Sequence, residues 1–433
     1  MKVNIFPQNI PVMGIDVSKE KSDFCILDTS NSVIKRGIVK HTLDSMNTFL
    51  KILSEVTEKH DAKPICIMEA TAYYHLILHK LLTENGYNVI VINPIQSGSI
   101  RNIDIRNIKN DKVDAYRIAY LYRLGKLKAS NIPVGEISRL RSLCRFHIAM
   151  TNDITEHILR LRSYVDQSFP GFEKVFSKLR CKTPLAILEK YPTPKDILHA
   201  DEKEIAELLS SVSRKGMHFA EPRVRSLKAA AETALKIGLE RPENEILIPA
   251  EIAVIHQLRE NLNKTDEEIT TILDSSDYLK EQARLLKSIP GVGDHSAAAL
   301  IAEIGDISLF SNAKKLTAYF GLDPAQKQSG KFIGTRTKLS KRGSAYLRKV
   351  INMVAVKNAF KQSNGTYANP VLAEFYLHKC ERKEKKTALC AVMRKMVHII
   401  FAVLRDRKPF ELRTPEQHEH IIFEKNMKLR LSA

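Results

Sequence analysis

VMGIDV, residues 12–17, is the stretch that decides the fold. Its apolar residues read as a buried strand, and alternation along a strand puts Asp16 on the face opposite Ile15 and Val17. Working outward, Phe24–Asp28 and Val33–Lys40 read as two further strands joined by short polar turns. Asp44 then opens a helix through Met46, Phe49, Leu50 and Leu53, and Ile65–Met68 is a fourth strand with Glu69 at its end. Tyr74–Leu82 reads as a helix, Val89–Ile92 as a fifth strand closed by Pro94, and Lys112–Leu124 as a helix. Three strands, helix, strand, helix, strand, helix is the ribonuclease-H order.

This order predicts a cluster of acids. Asp16 and Glu69 end neighbouring strands, and Asp111 and Asp114, three apart at a helix start, share one helix face. Four carboxylates on one patch repel one another unless a hard divalent cation sits among them, and Mg²⁺ prefers oxygen ligands. Two such ions could clamp the attacking and leaving oxygens of a phosphodiester. Against this stands the ordinary fate of Asp and Glu, a solvated surface.

Beyond the α/β domain, apolar or near-apolar residues recur at Ile137, Leu140, Cys144, His147, Thr151, Ile154, Ile158, Leu161 and Val165 in steps of three and four. This is a heptad seam, weakened at His147 and Thr151. A second long helix carries Ile252, Ile255, Leu258, Leu262, Ile269 and Ile272. The two either pack on each other within the chain or pair between protomers as a coiled coil. Residues 170–245 read as helical and basic, without assignable chemistry.

From about Leu285 two signals follow. Ile289-Pro290-Gly291-Val292-Gly293 before a helix has the form of a helix-hairpin-helix turn, in which Gly291 and Gly293 let the backbone approach a phosphate. A tight turn between packed helices is the plainer reading. Residues 331–350, KFIGTRTKLSKRGSAYLRKV, hold seven Lys or Arg and no acid, so Lys331, Arg336, Lys338, Lys341, Arg342 and Arg348 are candidate DNA contacts. The hydroxyls of Ser329, Thr335, Thr337, Ser340 and Ser344 are candidate nucleophiles, and spacing and charge select none of them. A second cluster at 379–386 alternates with glutamates and reads as a solvated face. His75 and His79 lie one turn apart but lack a third ligand signature, and read as packed helix residues.

The bulk properties agree with a nucleic-acid partner. The 433 residues, 44% hydrophobic and 27% charged, are enough for two or three domains and give no sign of disorder. A formal charge of +19 from 68 basic against 49 acidic residues suggests a polyanion. Six isolated cysteines without CxxC spacing read as reduced, mostly buried thiols. The N-terminal residues lack an apolar signal region and no run of about 18 apolar residues is read anywhere, so the expected location is cytoplasmic, with no membrane span.

MGIDVSKEK, IMEAT, KNDKVDAYRIA, IPGVG with AEIGD, and LTAYFGLDPAQKQSGK followed by KRGSAYLRK resemble the insertion-sequence transposases of the DEDD type, relatives of the pilin-gene invertases and the bridge-RNA-guided recombinases. The resemblance covers about 1–125 and 285–410. It implies a RuvC-like domain at 1–130, a helical connector at 131–284, a mainly α transposase domain with the helix-hairpin-helix at 285–410, and a tail at 411–433. It further implies that Asp16, Glu69, Asp111 and Asp114 are Mg²⁺ ligands and that Ser329, in the match to GLxPxxxQSGK, is the nucleophile that holds a DNA end. Members of the family act as homo-oligomers, dimers or tetramers, in which one protomer's acids meet another's serine, and some are directed by a structured guide RNA. The extended middle, roughly 170–250, departs from shorter members. The competing readings are a RuvC-like structure-specific endonuclease using metal-activated water, and a non-catalytic DNA-binding regulator.

Overall fold

A computed structural model describes residues 9–70, 73–93, 111–125, 127, 135–176, 178–324, 328–329, 332–333, 338–414, 416–417 and 419–420, with backbone alone at 111–112, 328–329 and 332–333. The chain divides into two compact units, Met1–Ile132 and Pro133–Ala433.

The first unit is a mixed α/β sheet. Strands β1 (Val12–Val17), β2 (Lys21–Leu27), β3 (Val33–Lys40), β4 (Ile65–Glu69) and β5 (Val89–Ile92) lie in the order β3-β2-β1-β4-β5. The first three pair antiparallel, while β4 and β5 run parallel to β1. Helices α1 (Leu43–His60) and α2 (His75–Glu84) cover one face, burying Phe49, Leu53, Leu78 and Leu82 against Met13, Ile15, Phe24 and Met68. Helix α3 (Asp111–Arg123) covers the other, burying Ala115, Ile118, Ala119 and Tyr122 against Val12, Cys25, Leu27 and Ile67. The elements are those expected, except that β2 begins three residues earlier than the apolar run from Phe24. The polar Lys21, Ser22 and Asp23 continue its ladder with β1.

The second unit is helical among its described residues, apart from a short hairpin. Its frame is an antiparallel pair, α4 (Gly135–Ser168) and α10 (Asn244–Asp274), tied within the chain by Arg139 to Glu268 at 2.7 Å, Arg160 to Glu251 at 3.0 Å and Asn244 Nδ2 to Ser168 Oγ at 2.8 Å. Of the two pairings open from the sequence, the intrachain one is present. Between these helices lie α5 (Phe172–Val175), α6 (Lys182–Lys190), α7 (Pro194–His199), α8 (Glu202–Ser213) and α9 (Met217–Ile237), which bury Leu188, Ile197, Leu209 and Leu227 against Leu161, Val165 and Ile252.

A second core gathers α11 (Asp277–Lys287), α12 (Asp294–Ile304), α13 (Ala313–Tyr319), α14 (Ala345–Ala359), α15 (Pro370–Cys380) and α16 (Lys385–Asp406) around Leu286, Leu300, Ile351 and Ile400, with Leu140 and Ile269 contributed by the two long helices. Helix α16 is long and apolar enough to cross a membrane by length and composition, although Arg394 and Lys395 interrupt its apolar residues, and half of its apolar window is buried inside the protein. It is the central helix of this core, where Val392, Met396, Val397 and Ile400 are buried. Six thiols are free; Cys25, Cys66 and Cys144 are buried and Cys181 is exposed.

Among the described glycines of the first unit, Gly14 has the closest backbone neighbours. A Cβ there would stand 2.1 Å from the Ala115 carbonyl oxygen and 2.4 Å from the Ala119 nitrogen, so α3 crosses β1 with no side chain between them. Neither obstructing atom is a flexible side-chain end, so Gly14→Ala must push the helix off the sheet. We expect it to destabilise the protein by about 3 kcal/mol, the upper end for overpacking. Gly293→Ala, where nothing lies within 4 Å, should be near neutral. Chemical denaturation of the two variants checks this, and equal stabilities would refute the close packing.

Candidate functional site

The strand register brings the acids together. Asp16 lies opposite Asp23 in β2, and the parallel pairing of Ile15 with Met68 sets Asp16 level with Glu69 in β4. Alternation assigns all three to the face of Val12, Cys25 and Ile67, which is the face α3 covers. Helix α3 runs antiparallel to β1: Ala115 and Ala119 meet Gly14, and Arg123 at its far end donates to the carbonyls of Ile10 at 2.7 Å and Asp28 at 2.8 Å. Its N-terminal turn, with Asp114, therefore sits over the end of β1 that carries Asp16. Asp114 is buried, and Arg117 one turn on donates to its Oδ1 at 3.1 Å.

Asp16, Glu69 and Asp114 thus share one face, as expected. Asp111 heads the same helix, but its side chain lies outside the described residues. The structure adds Asp23, only 4% exposed, beside Asp16. The signal for it was the polar run before Phe24, which continues the strand with the correct parity. The described carboxylates share a face without closing on one point; within 4.8 Å of one another, among the described residues, only His147, Asp266 and His295 form a metal-type cluster. Asp16, Asp23, Glu69 and Asp114 offer carboxylate oxygens, which suit a hard divalent ion, and a pair of ions spreads its ligands more widely than one. The cluster is also partly neutralised by Arg117 and by Lys21, 3.9 Å from Asp23.

In the second unit, Ser329 lies on a two-residue strand β6 (Gln328–Ser329), opposite Phe332 of β7 (Phe332–Ile333). Its side chain, Lys331, Arg336, Thr335 and Thr337 are outside the described residues. The base of this hairpin is described in detail. Gly321, at φ +67°, and Gly343 pack backbone to backbone; a Cβ on Gly343 would stand 1.9 Å from the Tyr319 carbonyl oxygen. Ser340 N donates to Asp323 O at 2.8 Å, Ser344 N to Tyr319 O at 3.2 Å, and the Ser340 hydroxyl to the Asp323 carboxylate.

Beneath this clamp lies Glu303, 3% exposed, which accepts from Arg145 Nε at 2.6 Å, Arg145 Nη2 at 3.1 Å and Ser344 Oγ at 3.1 Å. Its carbonyl accepts from the Tyr319 hydroxyl at 3.0 Å and Arg141 Nη2 at 3.1 Å. Burial pushes the Tyr319 hydroxyl up, so it stays a donor. Ser340 and Ser344, two of the five candidate hydroxyls, both take part in holding the clamp. Sequence reasoning missed Glu303 and Arg145, which are 158 residues apart.

The basic residues divide as well. Lys338, Lys341 and Arg342 are exposed. Arg348 instead turns inward, its Nη1 donating to the carbonyls of Gly343 at 2.7 Å and Phe320 at 3.3 Å. The 289–293 turn joins α11 to α12, but Gly291, at φ +81°, faces α14, where a Cβ would stand 2.9 Å from Lys357 Cβ, and Asn358 Nδ2 donates to Pro290 O at 2.7 Å. Asp294 already occupies the helix start beyond open Gly293 and pairs with Lys287 at 2.6 Å, whose hydrogen bond holds its carboxyl below the usual range. That carboxylate competes with an incoming phosphate. His75 is buried and His79 half-buried in α2, and neither belongs to a metal cluster among the described residues.

Comparison with known proteins bears on both units. A DEDD transposase family model matches residues 13–170, and a model of the IS116/IS110/IS902 transposase family matches residues 283–376, together more than half of the chain. The pilin gene-inverting protein of Moraxella bovis is 33% identical over 163 residues, 37% of this chain, and the match spans about half of that relative's length, 49%. The insertion element IS116 protein of 44.8 kDa from Streptomyces clavuligerus is 24% identical over 77% of this chain and 80% of its own. Among solved structures, the T. thermophilus RuvC chain in complex with a Holliday junction substrate is 14% identical, covering 28% of this chain and 99% of its own at a TM-score of 0.22, a score too low to decide the fold.

The Asp114–Arg117 contact makes a testable demand. Removing the guanidinium with Arg117→Leu leaves a buried carboxylate without its helix partner, and we expect a loss of about 3 kcal/mol in chelator. Millimolar Mg²⁺ should restore part of it by supplying positive charge at the same face. Denaturation with and without Mg²⁺ reads both; an undiminished stability in chelator would show that Asp114 does not depend on Arg117.

Proposed function

Because the chain belongs to the IS116/IS110/IS902 transposase family, we propose that it is a DNA recombinase that cuts and rejoins strands through Ser329, served by a Mg²⁺-binding acidic site on a RuvC-like, ribonuclease-H-type sheet. The observation that carries the metal half is the meeting of Asp16, Glu69 and Asp114 on one face of the sheet under the N-terminus of α3. The serine half rests on the family match across 283–376 and on the clamp that fixes both ends of the segment holding Ser329.

Asp16, Glu69 and Asp114, with Asp111, would hold Mg²⁺, which supplies Lewis-acid stabilisation of charge on the reacting phosphate oxygens. In the proposed reaction the Ser329 hydroxyl oxygen forms a bond to phosphorus as the bond to a deoxyribose oxygen breaks, and the released strand end takes the proton. One phosphodiester replaces another, so reversal on a new strand end rejoins DNA without an external energy source. Lys338, Lys341 and Arg342 are placed to hold DNA phosphates, and Lys331 and Arg336 are assigned the same role from the sequence. Gly293 keeps an open backbone face for such a contact in a helix-hairpin-helix reading, while Gly291 and Arg348 serve the fold first. Action as a homo-oligomer, transposition of an insertion sequence in the cytoplasm, and direction by a structured guide RNA belong to the same proposal.

Two measurements test it. Ser329→Ala should abolish covalent capture of a DNA end and reduce strand exchange by at least about a thousandfold, as loss of a nucleophile does; Asp16→Asn and Asp114→Asn should abolish exchange while leaving DNA binding intact. Normal cleavage by Ser329→Ala would instead indicate a metal-activated water, as in a structure-specific endonuclease, and loss of neither activity would indicate a non-catalytic DNA-binding regulator. For the guide, sequencing of nucleic acid co-purified from the host should return one structured RNA; recovery of unspecific RNA alone would remove the RNA-guided element.

A further inference from the structure

His147 was the weak point of the heptad seam, and nothing in the recombination chemistry accounts for it. It projects from the middle of α4 toward Asp266 of α10 and His295, the second residue of α12. Its Nε2 is 3.2 Å from Asp266 Oδ1, and His295 Nδ1 is 3.3 Å from the same oxygen. The two imidazoles stack with ring centroids 4.4 Å apart.

Hydrogen bonding does not explain this arrangement. Asp266 Oδ1 is buried and accepts no hydrogen bond despite two ring nitrogens within 3.3 Å, because neither nitrogen points an N–H along the contact. An oxygen flanked by two misaligned nitrogens is the pattern left by ligands aimed at a common point beside them. Four ligands about 2.05 Å from a tetrahedral zinc ion lie about 3.3 Å from one another, close to both measured separations. Within the cluster every donor atom is under 4.8 Å from the others.

We infer that His147, Asp266 and His295 form a binding site for a borderline transition metal ion, of which zinc is the natural occupant, with a fourth position open to solvent on the exposed side of His295. Two imidazole nitrogens and one carboxylate oxygen disfavour Mg²⁺, which takes oxygen ligands. Burial holds His147 below the usual imidazole range, with His295 and Lys349 adding to this and Asp266 opposing. Lys349 is the one cation facing the cluster among those causes, and its ammonium is directed to Asn152 Oδ1. The donors that lie within 4.8 Å of one another are two imidazole nitrogens and one carboxylate oxygen, so the set is N₂O. Bound there, the ion ties both long helices to the start of α12, directly after the 289–293 turn.

The test uses the full-length chain stripped with chelator and titrated with zinc against a chromophoric competitor. We expect one tight equivalent, unaffected by millimolar Mg²⁺ and weakened at least about tenfold by Asp266→Asn. Cobalt substitution should give the intense visible absorption of a four-coordinate ion, lost in His147→Ala/His295→Ala. If that double variant fails to fold, as judged by circular dichroism in chelator, the half-exposed His295→Gln alone carries the comparison. Absence of a tight equivalent, or one that these substitutions leave unchanged, overturns the site. The readout is metal binding and not recombination, so it stands apart from the outcome at Ser329.

Discussion

The backbone contact between Gly14 and the Ala115–Ala119 turn of α3 is the constraint on which the first unit depends. With no Cβ on one side and only methyl groups on the other, the helix seats directly on β1, and Arg123 locks its far end onto the carbonyls of Ile10 and Asp28. The helix can neither slide along the strand nor rise from it. Its N-terminal turn is therefore held over Asp16 by packing and backbone bonds, not by any attraction among the acids. This matters because like charges gathered on one face repel one another. A frame that owes nothing to their positions can hold them together, with Arg117 and Lys21 offsetting part of the repulsion.

Much of this frame was legible in the sequence because sheet period and helix period are local signals. Val12–Val17, Val33–Lys40 and Val89–Ile92 were read with the observed limits, and the parity of Asp16 followed from Ile15 and Val17. Asp23 escaped for a physical reason: Lys21, Ser22 and Asp23 extend β2 through ladder bonds to β1, and polar residues at a strand start resemble a turn until the partner strand is known. The direction of Gly14 was equally hidden. A glycine inside an apolar strand signals a close approach but not by what.

In the second unit the local pattern carried less. The heptad seam predicted the length of α4, and its partner α10 was visible, but the sense of their pairing needed the contacts Arg139 to Glu268 and Asn244 to Ser168. Glu303 reads as one more acid on a helix. Only in three dimensions does it become the hub that joins Arg145, Ser344 and Tyr319 and so supports the Gly321–Gly343 clamp. The glycine of KRGSAYLRK has a role that only the fold shows; its missing side chain lets the 319–323 and 340–344 segments touch.

These contacts also change what the chain's charge means. A formal +19 treats every Lys and Arg as available to a polyanion, yet Arg348 is spent on two carbonyls, Arg145 on Glu303 and Arg117 on Asp114. The first two support the clamp and the third supports the acids, so part of the positive charge builds the sites instead of reaching toward DNA. Lys338, Lys341 and Arg342 remain exposed beside the clamp that Arg348 and Glu303 hold. Arg348 thus adds a side-chain hydrogen bond to the Gly343 carbonyl, at the end of the segment on which the exposed Lys341 and Arg342 sit.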